Sequence, residues 1–159
     1  MPKAEITKVK YKDDRVEIHT TEKLGNVGDD AKVTVLRCSD RPAESFTRAF
    51  TALVGHVRTI LELQPSQWKD QINVTGVSFS MSEDDIEGAV ITGVVSLDTA
   101  NSPFSFNTPH LPYQQYSPTG ESPLMPDEAQ DALKELKREA EAYLRGKRAQ
   151  GDLFREEAA

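Results

Sequence analysis

Apolar positions along the first forty residues alternate with polar ones at a period of two, the signature of half-buried strands. Residues 6–11 and 15–21 are β-rich runs separated by Lys12-Asp13-Asp14, and Val16, Ile18 and Thr20 alternate with Arg15, Glu17 and His19. This pattern predicts a hairpin. After the turn Gly25-Asn-Val-Gly-Asp-Asp30, residues 31–38 supply a third strand. The period then changes. Phe46, Phe50, Leu53, Val57 and Ile60 recur at spacings of three and four, which predicts an amphipathic helix of about 20 residues. Ser39 or Asp40 stands where an N-cap belongs, Pro42 falls in the first turn, and Leu63-Gln-Pro65 ends the run. Arg48, Thr51, His56 and Arg58 occupy the opposite, solvent-facing side.

A second hairpin is predicted from residues 72–81 and 89–97 around an acidic turn, Glu83-Asp-Asp-Ile-Glu87. Ile72 and Val74 share one phase but Val77, Phe79 and Met81 share the other, so a β-bulge is expected at Thr75-Gly76. The run 89–97 is apolar in both phases, which marks a central or covered strand. Residues 104–107 read as a short sixth strand. Six of the nine prolines lie between Pro103 and Pro126, and residues preceding proline are driven to extended conformations. From Pro126-Asp127 a last helix begins, with Ala129, Leu133, Leu136, Ala140 and Tyr143 on one seam. The predicted fold is α+β: an antiparallel sheet of five to six strands in two blocks, one long helix packed on a face, and a C-terminal helix after a Pro-rich segment. The domain reading is a globular unit over 1–112, an extended linker over 113–126, and a helix with a frayed tail over 127–159.

Charge is distributed unevenly. From Asp70 to Leu133 there is no Lys or Arg among 64 residues, while ten Asp and Glu occur; the other 95 residues hold all 19 basic residues, and the net charge is −7. Phosphate backbones require cations, so duplex DNA is excluded as an expected partner, and an anionic membrane is equally disfavoured. No run approaches the roughly 20 apolar residues of a membrane span, and no apolar leader follows Met1. A single cysteine, Cys38, excludes an internal disulfide, and the expected location is cytoplasmic.

Chemistry-bearing motifs are sparse. Ser66-Gln-Trp-Lys69 matches S-x-x-K without the companion elements of a serine acyltransferase, and Cys38 with one of three scattered histidines lacks a paired arrangement. His19, His56 and His110 have no ligand spacing, and the acidic turn lacks the calcium-loop pattern, so neither a catalytic residue, a metal nor a cofactor is expected. Two basic features stand apart: Lys8, Lys10 and Lys12 alternate on one strand face, and Arg145-Gly-Lys-Arg148 closes the last helix. Either is a solvated edge or a complement to the helix dipole, or together they supply a small-ligand or nucleotide site. The segment 103–116 concentrates contact-forming side chains: Phe104, Phe106, Asn107, His110, Tyr113 and Tyr116. Prolines beside them reduce the entropy lost on docking. They are the expected binding residues, against the alternative that Phe104 and Phe106 pack into the core. The seam of the last helix docks on its own domain or builds a homo-oligomer.

The run from Gly88-Ala-Val-Ile-Thr-Gly93 to Asn101-Ser-Pro-Phe-Ser-Phe-Asn-Thr-Pro-His-Leu-Pro112 resembles small uncharacterised proteins encoded by tailed bacteriophages and prophages. Val74-Thr-Gly-Val-Ser-Phe79 and Tyr143-Leu-Arg-Gly-Lys-Arg-Ala-Gln150 add to the likeness, which spans about half the chain. The resemblance implies a phage accessory role in the host cytoplasm and carries no catalytic residues. The expected function is a non-catalytic binding module that engages a partner protein or assembles with itself, with a small-ligand or nucleotide binder as the alternative.

Overall fold

A computed structural model describes residues 4–23, 31–81, 86–115 and 123–149. Seven strands and two helices follow in order: β1 (Glu5–Lys12), β2 (Arg15–Lys23), β3 (Ala31–Cys38), α1 (Glu44–Ile60), β4 (Ile72–Met81), β5 (Glu87–Val95), β6 (Phe104–Asn107), β7 (Leu111–Pro112) and α2 (Asp127–Leu144). The sheet is antiparallel throughout, in the order β3-β2-β1-β4-β5-β6, with β7 pairing β5 beside β6. The fold is α+β as predicted. The two blocks join where Lys8, Val9 and Lys10 of β1 face Ser78, Val77 and Gly76 of β4.

Local chemistry explains the joints. Asp13 and Asp14 both adopt positive φ (53° and 61°), the conformation a two-residue hairpin loop of the right twist requires. The register of β4 against β5 shifts between Val74 and Gly76, so the expected bulge falls at Thr75 and brings Ile72 and Val74 to the same face as Val77 and Phe79. A second shift between Ile6 and Lys8 does the same for Ile6 and Val9.

One core holds all of this together. Val9, Val16 and Ile18 from the first block, Val77, Ala89 and Ile91 from the second, Leu53 and Val57 of α1, and Leu133, Leu136 and Tyr143 of α2 are buried in a single cluster. Tyr113 and Met125 belong to it too. The C-terminal helix therefore shares the core of the first 112 residues. Its apolar seam packs on its own domain: the Phe46 and Tyr143 rings stand 5.7 Å apart, and Tyr143 Oη donates to Asp40 O at 2.8 Å.

Helix α1 differs from the sequence reading at both ends. Its N-cap is Ala43, which makes no side-chain cap, and Pro42 lies outside the helix. Asp40 is instead engaged by the distant α2 end, where Arg148 reaches its carboxylate at 3.4 Å, so a tertiary contact displaces the local cap. At the other end Leu61 is the C-cap, Glu62 turns to positive φ, and Leu63 N–H reaches back to Arg58 O at 3.0 Å. Strand β5 begins and ends two residues before the predicted run, and β7 is a strand the proline pattern concealed.

Candidate binding surface

Both helices lie on one side, because the strands' apolar phase points there. The register fixes what the other side shows. Lys8, Lys10 and Lys12 of β1 stand beside Arg15, Glu17 and His19 of β2, and Val33, Val35 and Arg37 of β3 continue the same face. Toward the other edge come Ser78 and Ser80 of β4, Val90, Thr92 and Val94 of β5, and Ser105 and Asn107 of β6. This open face is cationic on a protein of net charge −7.

Its electrostatics turn on Glu17. The carboxylate is hydrogen-bonded to His19 Nε2 at 2.8 Å and accepts from Arg37 Nε at 2.8 Å, and these two contacts hold its pKa down at about 2. Glu17 is thereby committed to β3 and to its own strand. Lys8, Lys10, Lys12 and Arg15 form no hydrogen bond or ion pair among the described residues. Two residues of the other basic feature, by contrast, are engaged in the fold: Lys147 binds Glu139 at 3.2 Å and Ser45 Oγ at 2.9 Å, and Arg148 stacks 3.6 Å over the Tyr143 ring.

The segment expected to make contacts divides. Phe104 is half exposed and sits 6.3 Å from Trp68 at the outer edge of the sheet. Asn107 and His110 are exposed on the open face, where Asn107 Oδ1 accepts from the Thr92 hydroxyl at 2.7 Å and His110 Nε2 lies 2.7 Å from Ser80 Oγ. Phe106 is partly buried against the core. Tyr113 is a correction to the sequence reading: it is buried with the core, its N–H donates to Glu87 O at 2.7 Å, and burial pushes its phenol pKa well above the usual value. It is a packing residue, not an exposed anchor. Tyr116 lies outside the described residues.

Strand β3 is the surface that sequence reasoning passed over. It pairs with β2 without a register shift from Cys38 to Ala31, and its residues are exposed or half-exposed along the whole length. Val33 is 61% and Val35 36% exposed. The signal was present: Leu36 and Cys38 occupy one phase and Val33 and Val35 the other, the same two-sided pattern that marks β5.

Cys38 is half-buried at the end of β3 and accepts from Asp40 N–H at 3.5 Å, while His19 and His110 are engaged elsewhere. Among the described residues no cluster of three His, Cys, Asp or Glu side chains is placed to hold a metal ion, and no helix is long and apolar enough to cross a membrane. Compared with protein-family models, curated proteins and solved structures, the chain matches none of them.

Proposed function

We propose that the chain is a non-catalytic binding module that takes an extended segment of a partner protein as an added strand on β3. The observation that carries this reading is the edge itself. Native sheets blunt their edges with bulges, prolines or charged side chains, lysine above all. Strand β3 is eight residues long, regular and free of proline and glycine; it carries charge only at Lys32 and Arg37, toward its ends, and is bare over Val33 and Val35 between them. Main-chain hydrogen bonds would supply affinity, and β-branched side chains opposite the two valines would supply register. The cationic open face beside it favours a segment that carries carboxylates. The sequence resemblance supplies an accessory role in a phage-infected cell as the context.

A random peptide library selected against the purified chain tests this. Selected peptides are expected to alternate β-branched with acidic or polar residues and to slow amide exchange across residues 31–38. Val33→Lys/Val35→Lys should abolish binding without altering the melting temperature. If no peptide is selected but the chain sediments as a dimer that the same variant splits, the added strand is β3 of a second copy. Peptides that leave 31–38 unprotected would overturn the reading.

A further inference from the structure

A depression of about 300 Å³ opens on the cationic face between the β1–β2 hairpin and the outer edge of β5, bordered by Lys10, Lys12, Arg15, Thr92, Val94 and Ser105. We propose that it is a binding site for a small phosphorylated ligand, in which Lys10, Lys12 and Arg15 hold the phosphoryl oxygens. This goes beyond the strand-addition reading, since no residue of β3 borders it.

Three features support the assignment. Lys12 and Arg15 are direct cross-strand partners, and like charges directly opposite one another destabilise a ladder, a repulsion that an anion bound beside them would relieve. Lys10 is the direct partner of Glu17, the one carboxylate of the lining among the described residues, and both Glu17 oxygens are already engaged, by Arg37 and by His19 at 2.8 Å each. Among the described residues the three cations are thus without an ion pair. The site also has a built floor. Gly76 carries no side chain beneath the Lys10 stem, whose Cγ stands 3.1 Å from where a Cβ would be, so the lysine lies across β4 toward the depression. Beyond it Thr92 and Ser105 border the far side, and the Thr92 hydroxyl donates to Asn107 Oδ1 at 2.7 Å.

The chemistry selects the ligand class. A guanidinium offers a planar fork for phosphate oxygens and two ammonium groups add point charge, a combination suited to a dianion or trianion. The volume lies at the small end for ligand sites. Among the described residues no aromatic ring borders the depression, so they offer no stacking platform of the kind on which single-stranded nucleic acids rely. A phosphomonoester or a diphosphate fits better than a polynucleotide.

Calorimetric titration of the full chain at about 150 mM salt with pyrophosphate, AMP and a short single-stranded DNA decides the matter. Pyrophosphate or AMP is expected to bind, and the ratio of the two distinguishes a free phosphate compound from a nucleotide as the source. Lys10→Ala/Arg15→Ala should weaken that binding by about tenfold or more, the loss of charge-assisted contacts. Lys134→Ala, on the exposed side of α2, and Val33→Lys/Val35→Lys should leave it unchanged, the latter separating this site from β3. Denaturant melts confirm that each variant is folded. Binding that survives the double substitution, DNA bound more tightly than either small ligand, or no binding of pyrophosphate and AMP at millimolar concentration would each overturn the proposal.

Discussion

The two faces of this sheet are made by the same strands and do opposite things. On β1 and β2, Val9, Val16 and Ile18 are fully buried under the helices, while their immediate neighbours Lys8, Lys10, Arg15 and Glu17 stand on the uncovered side. Strand alternation therefore separates stability from surface chemistry at single-residue resolution. One face can vary its charge without emptying the core. The edges repeat the contrast: β5 is flanked by the short β6 and β7, whereas β3 ends the sheet with no further strand beyond it among the described residues.

Emptying the covered face costs the fold most. Leu53→Ala and Leu136→Ala, both fully buried, should each cost about 2–5 kcal/mol, the usual range for emptying a core site. Lys10→Ala should stay within about 0.5 kcal/mol. Similar losses in urea melts on both faces would refute the division.

Glycine substitutions sharpen it next. A Cβ at Gly93 would stand 2.5 Å from Asn73 O, which is backbone, and 2.7 Å from the Phe106 ring, so Gly93→Ala must shift the ladder and should cost about 1–3 kcal/mol. At Gly88 the nearest atoms belong to the exposed His110 ring, at 2.5 and 2.8 Å, and the ring can swing away. Gly88→Ala should cost distinctly less in the same melts.

Two tyrosines offer a smaller contrast within the core. Tyr143 Oη donates to Asp40 O, whereas Tyr113 Oη is buried with no partner among the described residues. Tyr143→Phe should cost about 0.5–1.5 kcal/mol, and Tyr113→Phe should be neutral or stabilising. Burial raises the pKa of both phenols. The folded state thus holds those protons more tightly, so their contribution is intact below the ordinary phenol value of 10.0 and is lost as pH rises above it.

The smallest effect concerns Glu17. Its pKa falls from 4.5 to about 2 in the folded chain, so its contribution is present above pH 4.5 and disappears as pH drops toward 2. At the sheet surface the pair is worth under about 1 kcal/mol. Arg37→Ala should flatten stability across that window only in part, since the His19 hydrogen bond remains and is the larger cause of the shift, and should not change it near neutral pH by more than that amount.

Much of this architecture was legible because period and phase are strong signals. The phase flip at Thr75-Gly76 announced its bulge, and the seam from Ala129 to Tyr143 announced its buried side. What escaped depended on partners distant in sequence. Asp40 reads as a cap until Tyr143 and Arg148 claim it, and Tyr113 reads as exposed until Glu87 O receives its N–H. The lysine row was visible on β1, but its neighbours Arg15, Thr92 and Ser105 come from three other strands and only the sheet order assembles them. Likewise, Val33 and Val35 look like core residues until β3 proves to be the end of the sheet.

An alanine scan of β1 from Lys8 to Lys12, read in parallel for unfolding free energy and for pyrophosphate affinity, separates the two faces residue by residue. The expected result is two opposed sawtooth profiles: Val9 and Tyr11, which face α1 and the core, lose stability and keep the ligand, while Lys10 and Lys12 keep stability and lose the ligand. Stability and affinity falling together at the same positions would contradict the division of one sheet into a structural face and a binding face.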